Sequence, residues 1–250
     1  TLTDSIIAGS VMNIMSRFHL SLADSIFVAY TDLIPWVESR LHTETNVIHQ
    51  PHGINKELLK EPIQQQNDNQ QNLIVGYVGS FKKYHHVPTL IRAVDKLREQ
   101  GYNIELRLIG TGPNHQDCLE LTSNLGLEDR VVFEGFIPQD ELSNSISECD
   151  LMYGVIDPNR SGSPMKVYEY LAAGRPVVVY ESEELEFVAE HNCGFLTSKI
   201  DRESVASVIA KYSGLDALTR YEMKINSRKY ILLNGYTWEQ FTRKILKDIA

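Results

Sequence analysis

The sequence predicts an α/β fold: a doubly wound parallel sheet with a small α/β remnant of a second domain. Three observations lead there. Short segments between residues 73 and 197 are rich in Val, Ile and Leu and apolar almost throughout, as strands buried on both faces should be. Helical stretches alternate with them, and that alternation implies parallel pairing with right-handed crossovers. Before them stands Gln64–Asn72, QQQNDNQQN, which has no apolar residue to bury and reads as a surface linker.

Taken in order, strands are expected at Leu73–Val78, Glu105–Ile109, Val131–Glu134, Leu151–Val155, Val177–Tyr180 and Phe195–Thr197. Helices are expected between them, near 87–99, 113–125, 139–147, 164–173 and 183–190. Ligands of such sheets bind at the carboxyl ends of the strands, so the loops after Val78, Ile109, Glu134 and Val155 matter most. Upstream, residues 1–52 read as a separate small unit. It has a helix ending near Ala23, a strand at Ser25–Ala29, a helix over 31–41 and a strand at Asn46–His49. Such a piece cannot bury its own faces, so it is expected to belong to a larger sheet. Residues 53–72 are the crossover and linker, 73–235 the main domain, and 236–250 a closing helix. The tail after residue 200 is helical, at about 201–211, 215–233 and 237–249.

Composition narrows the function. A net charge of −9 argues against non-specific nucleic-acid binding, which depends on a basic surface. Any anionic ligand must be met by local cations or backbone amides. The cysteines Cys118, Cys149 and Cys193 are odd in number, scattered, and without metal-ligand spacing, which suits reduced thiols in the cytosol. No stretch reaches the roughly 18–20 apolar residues that span a bilayer. The nearest, Ile6 to Met15, reads as a core helix. The opening Thr1 is a hint of a fragment or a processed form.

The most informative stretch is Ser161–Tyr180, SGSPMKVYEYLAAGRPVVVY. Ser163 can cap a helix whose first residue is Pro164, and Gly174 can close it in the left-handed conformation. The free amides and positive dipole end at Gly162–Met165 make an anion site. Glu169 lies about 7.5 Å further along the axis at 1.5 Å per residue. One ligand could rest a phosphate on the helix start while its ribose hydroxyls reach the Glu169 carboxylate, and nucleoside diphosphates have that shape. A well-capped crossover helix with a solvated Glu explains the pattern equally well.

The run SPMKVYEYLAAGRPVV resembles the signature of retaining glycosyltransferases of family 4, which have the GT-B fold. VGYVGSFKKYHHVPTLIRAV resembles the first strand, loop and helix of their donor domain. LRLIGTGP resembles the family's glycine turn, and RVVFEGFIPQDEL its base-binding strand and loop. ADSIFVAY and NVIHQPHGIN resemble the end of the acceptor domain and the crossover, and TWEQFTRKIL the closing helix. The resemblance covers roughly residues 20–250.

It implies that Glu169 binds the ribose of a nucleotide-sugar donor. Gly162, Ser163, Pro164 and Met165 should lie beside the diphosphate and sugar. Glu134–Pro138, and so Gly135, Phe136 and Ile137, should hold the base through backbone groups. Gly79, with Ser80 and Lys83 beside it, should admit the diphosphate to the first loop, and Gly110 and Gly112 form the glycine turn. Two departures stand out. The acidic residue expected eight positions before Glu169 is Ser161. The Arg and Lys expected in the first loop are Ser80 and His85. His85, Lys166 or Arg160 would then neutralise the diphosphate. Ser161, His85 and Lys166 are thus the candidate catalytic residues.

Other readings weigh less. His85–His86 lacks a third ligand at helical spacing, so no metal and no cofactor are expected. Gly110-x-Gly112 lacks the third glycine of a dinucleotide site, position 115 being His. His49 and His52 bracket the crossover, where a hinge role outweighs catalysis. Asp157 and Glu181 are carboxylates at strand ends. The expected function is transfer, with retention, of a hexosyl-type sugar from a UDP- or GDP-sugar to a saccharide or lipid-linked acceptor. The place expected is the cytoplasm or the cytoplasmic face of a membrane, with peripheral membrane association through a missing N-terminal half. The rivals are a non-catalytic nucleotide-sugar-binding or partner subunit of the same fold, and a nucleotide-sugar epimerase.

Overall fold

Where the polar linker ends, apolar residues begin, and the chain enters the centre of a parallel sheet. The computed structural model describes residues 13–31, 33–41, 45–50, 53–60, 72–159 and 164–249. Arg160, Ser161, Gly162 and Ser163, most of the linker, His52 and the start of the Ile6–Met15 stretch lie outside the described residues.

The chain divides into two units: one gathers residues up to Gly53 with those from Glu239 onward, and the other holds Ile54–Arg160 and Pro164–Trp238. In the first, β1 (Ser25–Val28) pairs in parallel with β2 (Asn46–His49), Ser25 standing opposite Asn46. Helix α1 (Leu33–Glu38) joins them and buries Val37. The Arg40 guanidinium covers the Trp36 ring at 3.9 Å.

The second unit is a six-stranded sheet of β3 (Leu73–Val78), β4 (Ile104–Ile109), β5 (Val131–Gly135), β6 (Leu151–Tyr153), β7 (Val177–Tyr180) and β8 (Gly194–Thr197). The strand order is β5-β4-β3-β6-β7-β8, with every pairing parallel. A core lies on each face. Helices α2 (Val87–Glu99), α3 (His115–Asn124) and α7 (Arg202–Ser213) supply one, through residues such as Leu90, Ile91, Cys118 and Ile209. Helices α4 (Gln139–Glu148), α5 (Met165–Ala172), α6 (Phe187–Glu190) and α8 (Ala217–Asn234) supply the other, through Ile146, Leu171, Val188 and Ile231. Helix α9 (Trp238–Ile249) belongs, from Glu239 onward, to the first unit. This is the doubly wound α/β fold expected.

Local sequence explains the boundaries. Asp201 and Asp216 cap α7 and α8 by accepting from the amides of Ser204 and Thr219, satisfying donors left free at a helix start. Helix α5 begins at Met165 with Pro164 before it, one residue later than the expectation from Ser163. Gly174 closes it as expected, at φ 71°. The strand expected to reach Val155 ends at Tyr153. The segment expected helical over 183–190 is a 3-10 turn, Glu183–Leu185, followed by the short α6.

The sheet order sets where a ligand lies. The chain winds outward from β3 through β4 to β5, then returns to place β6 on the other side of β3. The crossovers diverge between β3 and β6, and sheets of this kind take ligands in the crevice outside the carboxyl ends of the strands at such a point.

Candidate functional site

Three segments meet at that crevice: the loop after β3, the turn after β4, and the start of α5. The first loop is built from its own strand. Tyr77, fully buried, donates its hydroxyl hydrogen to the Ser80 carbonyl at 2.8 Å. Phe81 turns back into the core beside it, edge-on to the Tyr77 ring at 5.8 Å. The loop then forms a 3-10 turn at Lys83–His85 and passes through His86 in the left-handed conformation.

The glycine turn after β4 clasps this loop. Gly110 has φ 118°, and a Cβ there would collide with the Gly79 carbonyl oxygen; only glycine permits that approach. A Cβ on Gly112 would stand 2.7 Å from the Phe81 nitrogen. The Phe81 amide donates to Thr111, and its carbonyl accepts from the Asn114 amide at 2.8 Å. Gly110 and Gly112, assigned to the donor from resemblance, thus hold the first loop's backbone in place.

Helix α5 brings the charges. Lys166 Nζ lies 3.1 Å from His85 Nδ1 and 4.8 Å from the centre of the Tyr77 ring. It is also 3.3 Å from where a Cβ on Gly79 would stand. Its pKa falls to about 7 because burial disfavours the ammonium, while the Glu169 carboxylate pulls it the other way. Glu169, half-buried one turn further along, is raised by burial, and Lys166 opposes that shift. His85 is only 8% exposed. Its pKa drops to about 3, through burial first and then the charges of Lys166, Lys82 and His86. Burial and these neighbouring charges favour the neutral imidazole, and the ring packs against Lys166. Lys166 is the candidate cation that the described residues place at the crevice, Arg160 lying outside them.

The remaining expected residues spread along the sheet edge. Gly135 ends β5, and its carbonyl accepts from the Gly110 amide. Phe136 follows with 81% of its surface exposed, and Ile137 is half-buried. Lys83 is exposed, Pro164 is buried, and Met165 is exposed at the helix start. His86 faces Asp157 across 3.5 Å, so the two adjacent histidines turn to different partners. Among the described residues no group of three His, Cys, Asp or Glu side chains could hold a metal ion. No helix of the described residues is long and apolar enough to cross a membrane.

Sequence reasoning missed Tyr170. Its hydroxyl accepts from the Val78 amide at 2.8 Å and donates to the Val78 carbonyl at 2.9 Å, tying α5 to the end of β3. A Tyr directly after Glu169 was the available signal.

Comparison with known proteins gives this geometry a context. A family model described as glycosyl transferases group 1 matches residues 60–230. A putative colanic acid biosynthesis glycosyltransferase of Escherichia coli, WcaL, is 33% identical over 140 residues, covering 54% of this chain and 34% of that protein. The human GDP-Man:Man(3)GlcNAc(2)-PP-Dol alpha-1,2-mannosyltransferase is 28% identical over 200 residues, 74% of this chain and 39% of that one. The chain thus matches between about a third and two fifths of the length of these two relatives. Among solved structures, Anabaena HepE in complex with UDP and glucose superposes with a TM-score of 0.74. It is 19% identical, over 95% of this chain and 67% of that one. On its sequence and its fold, the chain belongs to the glycosyl transferases group 1 family.

Proposed function

We propose that this chain carries the donor half of a retaining hexosyl-type glycosyltransferase that uses a UDP- or GDP-sugar. The acceptor is a saccharide or lipid-linked saccharide in cell-surface polysaccharide or glycan synthesis, at the cytoplasm or the cytoplasmic face of a membrane. The observation that carries the reading is Lys166 packed against Gly79 at the sheet's switch point, with Glu169 one turn deeper on the same helix. A diphosphate at the helix start would meet the Lys166 ammonium, and the attached ribose would meet Glu169. Gly135–Ile137 at the end of β5 would take the base. Binding needs no metal, because the helix amides and Lys166 supply the positive charge.

Catalysis in this reading is orientation plus stabilisation of the departing diphosphate. The acceptor is held by a larger second half, so the chain alone binds donor and transfers no sugar. HepE, crystallised with UDP and glucose on the same fold, supports a nucleotide-sugar ligand. One observation favours the second reading, a non-catalytic binding subunit: Ser161 stands where the family pattern has an acidic residue.

The decisive experiment is calorimetric titration of UDP and GDP into the wild type and Glu169→Ala, with EDTA and then with manganese. Binding in EDTA by the wild type, weakened at least tenfold in the variant, is the expected result. Unchanged affinity would remove Glu169 from the site, and a strict manganese requirement would overturn the metal-free account. Donor hydrolysis by the chain would count against the non-catalytic reading.

A further inference from the structure

We infer that His85 serves the donor site as a hydrogen-bond acceptor, a positioning residue that holds the Lys166 ammonium against Gly79 for a bound diphosphate. The inference rests on the proposed donor site and reassigns the role of His85 within it. Lys166 Nζ and His85 Nδ1 are 3.1 Å apart. While Lys166 is an ammonium it has donors and no acceptor, so in that state the imidazole receives this hydrogen bond at Nδ1 and carries its own proton on Nε2. That assignment requires a neutral ring, and the surroundings enforce it.

The groups around His85 come from its own loop, two strands and one helix. Within the loop the Tyr84 ring lies 4.4 Å away, centre to centre, and Lys82 and His86 both disfavour a second positive charge. From β3 the Tyr77 ring stands at 6.1 Å. From α5 comes Lys166 itself. Tyr153, from β6, lies beyond Tyr77 at 6.5 Å from that ring. The immediate surroundings are therefore two aromatic rings, one imidazole and two lysines, Lys166 and Lys82, with Glu169 as the carboxylate that acts on Lys166 through space.

Lys166 has a long flexible stem and three donors. One is committed to His85 and one side of the ammonium faces the Tyr77 ring. Among the described residues, no carboxylate forms an ion pair with it. The remaining donor capacity is directed to the Gly79 side of the crevice. Fixing the stem before the ligand arrives removes some of the ordering cost of binding. The neutral imidazole does so without the repulsion that a second cation would add.

The test is calorimetric titration of UDP into the wild type, His85→Asn, His85→Ala, His85→Lys, Lys166→Ala and the double variant His85→Ala/Lys166→Ala. Asn offers an acceptor at the place of Nδ1, so His85→Asn should stay within about threefold of wild type. His85→Ala should weaken binding about tenfold, the usual scale for a lost hydrogen bond to a charged group. His85→Lys should be weaker still. In the Lys166→Ala background the further loss of His85 should change affinity less than twofold, because coupled residues fail to add. Wild-type affinity in His85→Lys together with weak His85→Asn would show that charge is what matters, and would overturn the inference. So would an equal loss from His85→Ala in both backgrounds, which is the mark of a loop-packing role. If the wild type binds neither UDP nor GDP, it is the donor-site reading that fails, and the two failures are told apart by that first titration.

Discussion

The Tyr170 hydroxyl occupies the place of a missing strand, receiving the Val78 amide hydrogen and donating to the Val78 carbonyl. β6 pairs with β3 only through Val75–Leu151 and Gly76–Met152. Beyond that point the groups of β3 on this side have no ladder, and a helix side chain from 92 residues away completes it. Tyr170→Phe keeps the ring and removes both bonds. We expect a stability loss of about 1–3 kcal/mol, the cost of leaving backbone groups unsatisfied, measured by urea unfolding. A loss under about 0.5 kcal/mol would mean that water takes over the hydroxyl's place.

The other end of β3 has a matching device in Asp150. Its carboxylate accepts from the Ile74 amide at 2.9 Å and faces Lys224 Nζ at 3.4 Å, both side chains being 2% exposed. Burial pushes the Lys224 pKa down to about 8 even against the attraction of Asp150. Arg175 is buried nearby and also feels Asp150. Asp150→Asn should therefore cost about 3–5 kcal/mol, because it strands a buried ammonium. Adding Lys224→Met should recover some of that loss, and a double-mutant cycle by chemical denaturation measures it. Strict additivity of the two changes would show that the pair is not coupled.

These two contacts show what the sequence could reveal. Strands β3 and β7 were legible to the residue, because buried parallel strands are apolar on both faces and their ends are marked by polar, glycine or proline neighbours. β6 was read two residues too long. Gly154 and Val155 are as apolar as a strand, and the Gly154 amide still donates to Val178, but pairing with β3 stops at Met152 and the Val78 amide and carbonyl turn to Tyr170 instead. The spacing from the helix start to Glu169 was legible because it is local, set by helical rise. The partnerships of Asp150 with Lys224 and of His85 with Lys166 were not, because they join residues 74 and 81 positions apart. No periodicity records such a contact. His85 accordingly looked like a spare cation, since the burial that disfavours its charge is a property of the folded chain alone.

The last prediction concerns pH. Lys166 is the group whose charge a diphosphate would require, and burial lowers its pKa to about 7. Below that value Lys166 is an ammonium before the ligand arrives. Above it, binding must first protonate the amine, so affinity falls as pH rises. Ligand charge raises the pKa in the complex, since an anion favours the charged form. The decline should therefore begin near pH 7, approach tenfold per pH unit, and level off once pH exceeds the pKa of the complex. His85 contributes nothing in this window, because its pKa of about 3 leaves it neutral throughout. Glu169, though raised, is a carboxylate that loses its proton with rising pH, and a ribose contact with its charged form would strengthen over that change, opposite in sign. Calorimetry of UDP binding between pH 6 and 9 checks this, in two buffers of different ionisation enthalpy to count the protons taken up. Lys166→Arg keeps the charge at every pH in the range, so its affinity should be flat from pH 7 to 9 with no proton uptake. A flat wild-type profile would mean that Lys166 is charged throughout this range before the ligand arrives or does not meet the ligand, and a decline that survives in Lys166→Arg would assign it to another group.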